Sequence, residues 1–351
     1  MGWKMRKKIL FLIMFFVLFT LVGCGKSDEK SVLKSLEKNI NKASTYKLKG
    51  ILQISNNEDT YLYDVEANYQ KDNDYRVSLK NKANNHEQII LKNNSGVYVI
   101  TPSLNKSFKF QSEWPDNTSQ VYLLQSLLKD IKNDENRKFE QKDDKYIFVT
   151  KVNYPNNNEL LNQKITINKN LKIESVEVMN SEGISKMIMK IDSIDFRTDF
   201  EDDFFDLNSI IEEIEYNDKE ETNQKKENES ETTSEYTNVI DDIIYPLYIP
   251  VGTSLIEQEK ISKTDGERVI LTFDGEKPFL LVEETASKND EFSVIPTFGD
   301  PYLLTDTIGV LTENSLTWSS NGIDYYIVSE VMSQPELIEI ASSVSSIPTL
   351  K

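Results

Sequence analysis

The sequence predicts a mainly β protein: about ten or eleven antiparallel strands in one large curved sheet or open barrel, with helices covering one face, followed by a small α+β domain. Three observations predict it. Between residues 45 and 196, apolar side chains recur at alternate positions in short runs separated by polar turns, the period of half-buried strands. Only a few helical patterns accompany them. Finally, Glu212 to Glu235 is rich in Glu, Lys, Asn, Ser and Thr with almost no apolar residue, which divides the chain in two.

The chain begins with Lys4, Arg6, Lys7 and Lys8, followed by an apolar run from Ile9 that ends at Leu21-Val22-Gly23-Cys24. A basic start, a short apolar core and small residues before a cleavage point describe a secretory signal over residues 1–23. The run is short for a permanent span, which needs about 20 residues. Cys24 is the sole cysteine. The ending resembles a bacterial lipobox, which implies a diacylglycerol on the Cys24 sulfur and cleavage before it. An ordinary signal, or an uncleaved anchor with a cysteine there by chance, is the competing reading. Residues 24–30 are then a lipidated polar tether.

The first unit spans 31–210. Val32, Leu33, Leu36, Ile40 and Ala43 share one helical face, with Lys34, Glu37, Lys38 and Asn41 opposite. Tyr46–Ile54 and Tyr61–Tyr69 alternate as a hairpin around Asn56-Asn57-Glu58-Asp59. Strands follow at Tyr75–Leu79, Gln88–Leu91, Val97–Thr101 and Ser107–Phe110. A helix from Ser119 to Lys132, capped by Ser119, carries Val121, Leu124, Leu128 and Ile131 on one side. Strands resume at Tyr146–Val152, Lys164–Ile167, Ile173–Val178 and Lys186–Phe196. An acidic flexible linker over 211–238, with a solvent-exposed helix in its first half as the alternative, leads to the small domain, 239–351. There Val269–Phe273, Leu280–Glu283, Leu316–Trp318 and Tyr325–Ser329 read as strands, and Pro335-Glu336 opens a helix.

The 38% hydrophobic content supports real cores, and the formal charge is −18. Loss of residues 1–23 takes it to about −22. So acidic a chain does not bind nucleic acid or an anionic membrane through bulk charge. The single histidine, His86, excludes a multi-histidine metal site and reads as a surface residue. Glycine is scarce and no phosphate-cradling or dinucleotide motif appears. In the acidic cluster Asp199, Glu201, Asp202, Asp203 and Asp206, the interleaved Phe200, Phe204, Phe205 and Leu207 favour a packed turn over a calcium or acid–base site. No cofactor and no catalytic residues are expected.

Tyr98, Phe108, Phe110, Trp114 and Tyr122 cluster in the middle of the first unit and are the candidate ligand- or partner-binding residues. Core packing competes for any single ring. Trp114 stands apart, because Glu113-Trp114-Pro115-Asp116 reads as a polar loop where a large ring needs a docking site or a partner.

The run Gly96–Phe110, continuing through Glu113-Trp114-Pro115 to Ser119–Leu127, resembles LolA-like sporulation and germination lipoproteins of spore-forming Gram-positive bacteria, of the YdcC and GerS kind. The resemblance covers about residues 20–208. It implies an open β-barrel with helices over its concave face, which holds acyl chains or a protein partner. In the germination branch that partner is a peptidoglycan amidase. The tail, from Pro246–Gly252 through Leu316-Thr317-Trp318 to Glu336–Ser343, is similar to a small domain of unknown function. It also resembles the second domain of RseB and MucB regulators. The expectation is a non-catalytic lipoprotein on the extracytoplasmic face of the cell membrane, the forespore envelope included. It would be anchored through Cys24 and bind an envelope protein in sporulation or germination. An acyl-chain carrier or RseB-like sensor is the alternative.

Overall fold

The computed structural model describes residues 28–56, 59–227 and 239–344. The expected signal peptide, Cys24 and the centre of the linker lie outside these residues. Helix α1 (Glu29–Lys42) is capped by the Asp28 carboxylate, which accepts from Lys30 N at 2.8 Å. It buries the predicted stripe, Val32, Leu36 and Ile40.

The strands of the first unit are β1 (Thr45–Asn56), β2 (Asp59–Gln70), β3 (Asp74–Asn81), β4 (Glu87–Asn93), β5 (Gly96–Thr101) and β6 (Lys106–Phe110). After α2 (Leu124–Asn133) come β7 (Lys138–Lys142), β8 (Lys145–Lys151), β9 (Asn162–Asn168), β10 (Ile173–Met179) and β11 (Ser185–Asp195). They pair antiparallel in the order β6-β5-β4-β3-β2-β1-β11-β10-β9-β8-β7. Strands β6 and β7 do not meet, so the sheet is open, as expected. Gly50 sits at the bulge between β1 and β11, where a Cβ would lie 2.2 Å from the Lys190 carbonyl oxygen.

Two details beside the first sheet differ from the sequence reading at once. Ser119 does not cap α2: residues 119–123 form a turn, and the Ser119 hydroxyl instead accepts from Asn153 N at 2.8 Å. The edge strand β7 was not foreseen, because Lys-Phe-Glu-Gln-Lys carries one apolar residue. Charged, short and exposed, it discourages edge pairing.

The inner face of the sheet holds the main core. Tyr46, Leu48, Leu52, Val65, Val77, Phe148, Ile165 and Val176 pack there against α1 and α2. The outer face is covered at β4 and β5 by α3 (Leu207–Glu227), whose Ile210 and Ile214 lie on Ile89, Leu91, Tyr98 and Ile100. Residues 211–227, expected as linker, are therefore helical. The polar composition of the stretch as a whole hides Leu207, Ile210 and Ile214, which fall on one face. The acidic turn behaves as expected: Phe200, Phe204 and Phe205 pack on one another at 4.6–5.2 Å. Arg76 lies 4.7 Å over Phe204 and pairs with Glu213 at 2.8 Å.

The second unit contains β12 (Thr253–Lys263), β13 (Gly266–Gly275), β14 (Phe279–Thr285), β15 (Ser293–Thr297), β16 (Asp300–Leu303), β17 (Ile308–Leu311), β18 (Ser315–Ser320), β19 (Ile323–Val328) and α4 (Gln334–Ser343). Seven strands form an antiparallel sheet ordered β12-β13-β14-β19-β18-β17-β16. Helix α4 starts with a reciprocal Ser333–Glu336 capping box and packs Leu337 and Ile340 on the inner face of that sheet. Strand β15 leaves its own unit and adds parallel to β6, as the twelfth strand of the first sheet.

Candidate functional site

The five predicted aromatic residues do not form one surface. Phe110, Trp114 and Tyr122 are buried in the inner-face core, and Phe108 packs half-buried against it. Tyr98 alternates to the outer face, buried under α3 with Lys109 Nζ 5.4 Å from its ring. Trp114 does lie in a turn between β6 and α2, and its ring is only 2% exposed. It meets Tyr75 edge-on at 6.0 Å, Tyr75 meets Tyr69 at 5.2 Å, and Tyr69 stacks on Tyr46 at 5.1 Å. The docking site that Trp114 needs is supplied by its own sheet. Tyr46 closes this row by donating to Gln125 Oε1 (2.9 Å) and accepting from Leu124 N (3.3 Å) at the start of α2. Burial pushes the hydroxyls of Tyr46, Tyr75 and Tyr122 well above the ordinary tyrosine range.

His86 is half-buried rather than a surface residue. Burial lowers its pKa, and Nδ1 lies 3.3 Å from Ser103 Oγ. Among the described residues, no three His, Cys, Asp or Glu side chains gather as a metal site. Two clefts of about 450 and 410 Å³ are lined mainly by polar groups, the first by Asp130, Asp134, Lys129 and Asn153 and the second by Asp300, Thr312 and Gln334.

The seam between the two units is the most built feature of the molecule. Ile308 and Val310 of β17 enter the core of the first sheet, beside Leu303. Gln88, on the inner face of β4 with Ile90, is buried at this seam. Its Oε1 accepts from Ile308 N (2.6 Å) and Thr307 Oγ1 (3.1 Å), while Nε2 donates to Ile308 O (3.2 Å). Tyr63 OH donates to Thr305 O at 2.7 Å, and Lys106 pairs with Asp324 at 3.2 Å. The inner-face core of the first sheet is thus packed by Leu303, Ile308 and Val310 of the same chain. Sequence reasoning passed over Gln88. The available signal was a polar residue in phase with apolar neighbours at the start of a strand.

Replacing Gln88 with Leu keeps the volume but leaves the Ile308 N–H and C=O buried without partners, at about 1–3 kcal/mol per group. The Ile308 amide is therefore expected to exchange its hydrogen about 10- to 100-fold faster in Gln88→Leu. Unchanged exchange by mass spectrometry would mean the seam does not depend on this side chain.

A second set of contacts fixes the entry to the small domain. Glu267 Oε2 accepts from Ile240 N at 2.8 Å, and both oxygens of Glu283 accept from Ile244 N at 3.0 and 3.3 Å. Glu283 is fully buried, and this burial raises its pKa to about 7, against the smaller opposing effect of the Ile244 hydrogen bond.

No protein-family model matches the chain. A solved structure of MucB covers 91% of this chain and 97% of its own at 11% identity, with a TM-score of 0.33. The LolA superfamily protein NE2245 from Nitrosomonas europaea covers 52% of this chain and all of its own at 12% identity, with a TM-score of 0.31. Both scores are below 0.5, and the architecture above stands on the strand order and register of this chain. The sporulation protein YdcC of Bacillus subtilis (strain 168) is 36% identical over 343 residues, 97% of this chain and 98% of that protein. With that identity sustained through both units, the chain belongs to the family of the sporulation protein YdcC.

Proposed function

We propose that the protein is a non-catalytic envelope component of sporulation. It is held on the extracytoplasmic face of the membrane by a diacylglycerol on Cys24 and acts by binding a protein partner, with a peptidoglycan amidase as the leading class. The observation that carries this reading is the end-to-end identity with a sporulation protein. The anchor rests on the basic, apolar and small-residue order of residues 4–24 and on the sole cysteine falling at its end. No helix among the described residues is long and apolar enough to cross a membrane.

The absence of histidine beyond His86, and of cysteine beyond Cys24, supports a binding role over nucleophilic catalysis. An acyl-chain carrier is the weaker reading, because the inner face is filled by Phe110, Trp114, Ile308 and Val310.

Deleting the gene is expected to impair sporulation or to alter the cortex muropeptides. Spores with normal cortex and normal germination would overturn the reading. In the same background Cys24→Ala is expected to move the protein from the membrane fraction to the soluble or uncleaved pool and to abolish labelling by an alkyne fatty acid. Persistent lipid labelling would sink the anchor.

A further inference from the structure

We infer that the outer face of the second sheet is a docking surface for an amphipathic helix with basic flanks, carried by a protein partner. The inference rests on the partner-binding reading above and assigns the surface and the chemistry that it left open.

Strand register places the residues. Glu259 lies opposite Ile270, Ile270 opposite Val282, Val282 opposite Tyr326, Tyr326 opposite Thr317, and Thr317 opposite Val310. One row over, Glu257, Thr272, Leu280, Val328 and Ser315 are opposite in turn. Directly opposite residues share a sheet face, so Ile270, Leu280, Val282, Tyr326 and Val328 form one contiguous apolar field. Leu280 and Tyr326 are each 39% exposed. Helix α4 covers only the other face of this sheet, over Leu281 and Ile327.

Two observations point to an occupant. The field continues an interface already in use: its row runs on to Val310, which with Ile308 is inserted into the first unit. The molecule also shows how such a face is closed, since α3 lies over the apolar outer face of β4 and β5 in the first sheet. The second sheet has an equivalent apolar field and no equivalent helix among the described residues. Strands β13, β14 and β19 are spaced about 4.8 Å apart, which gives a field about as wide as one helix of roughly 10 Å.

Charge sets the flank. Glu257 and Glu259 are exposed on β12 at the border of the field, with no ion pair among the described residues, in a chain of net charge −18. On the opposite border Arg268 and Lys263 are already paired with Glu284. The free charge beside the field is thus acidic, which favours lysine or arginine beside the partner's apolar stripe.

The test uses a soluble form beginning at residue 25, which keeps every described element. The probe is a synthetic amphipathic helix of about 18 residues, a leucine stripe flanked by lysines, with a glutamate-flanked control. The lysine peptide is expected to bind at least about 10-fold more tightly than the control, and to shift the amide resonances of β13, β14 and β19. Leu280→Asp/Tyr326→Asp is expected to abolish binding. Glu257→Lys/Glu259→Lys alters only exposed side chains, whose replacement usually changes stability little; it is expected to reverse the preference between peptides. Equal binding of both peptides, shifts confined to another face, or concentration-dependent self-association through this face would each overturn the inference.

A cellular arm separates the two levels. If Leu280→Asp/Tyr326→Asp supports normal sporulation where the deletion does not, the docking surface is wrong and the partner-binding role stands. If the deletion itself sporulates normally, that role falls.

Discussion

Trp114→Ala is expected to lower the unfolding free energy by about 3–5 kcal/mol, the usual cost of deleting a large buried aromatic side chain. The ring is almost fully buried and ends the row Trp114–Tyr75–Tyr69–Tyr46 across strands β3, β2 and β1. Its removal leaves a void facing Tyr75 with few neighbours free to move in, because the far end of the row is held by the Tyr46–Gln125 hydrogen bond. Phe108→Ala, at a half-buried position on the same face, is expected to cost about half as much. Urea unfolding followed by circular dichroism measures both. A Trp114→Ala protein as stable as the parent but unable to hold a partner would favour the partner over the sheet as the docking site of this ring.

Glu283→Gln is expected to stabilise the protein by about 3 kcal/mol at pH 8 and to leave it unchanged near pH 4. The folded carboxyl titrates at about 7 and the ordinary value is 4.5. Below pH 4.5 the group is neutral in both states and has no effect. Between 4.5 and 7 the unfolded chain ionises while the folded one retains its proton, so stability falls as pH rises. Above 7 the deficit is constant. The amide oxygen of Gln still accepts from Ile244 N, so the substitution keeps the hydrogen bond and removes the buried charge. Chemical denaturation at pH 4, 6 and 8 reads the difference. A parallel pH dependence in parent and variant would show that Glu283 is not the group responsible.

Period-two alternation made the first sheet legible in outline. Tyr46–Ile54 and Tyr61–Tyr69 turned out to be paired neighbours in register, Ile54 opposite Tyr61. The helix stripe Val32, Leu36 and Ile40 was legible for the same reason: one face buried, one face wet. What escaped notice lacked a one-sided environment. Strand β7 has little buried surface to impose a pattern, and β16 and β17 are four residues each, too short to show a period. Nearly every residue of β12 is exposed on both faces, so its composition resembles a loop.

The aromatic residues of the candidate site were visible as a cluster in sequence. Their division between two faces, Tyr98 outward and Phe110 inward, follows from alternation along β5 and β6 and could have been drawn from it. The seam could not. It depends on Gln88 meeting Ile308, a contact 220 positions away that no local pattern announces.

The addition of β15 to β6 makes the edge of the first sheet depend on a distant part of the chain. The two strands are roughly 190 residues apart in the chain, and closing so long a loop is a late, slow step. A chain made from its N-terminus has the residues of β1 to β11 before Ser293–Thr297, so the edge of β6 waits for the second unit. During that interval, the backbone groups of β6 and the apolar inner face beside it are open to other chains. The first unit is therefore not an autonomous module with an appendage. Its sheet is finished by a strand from its own C-terminal third, so the two units share a sheet as well as a surface.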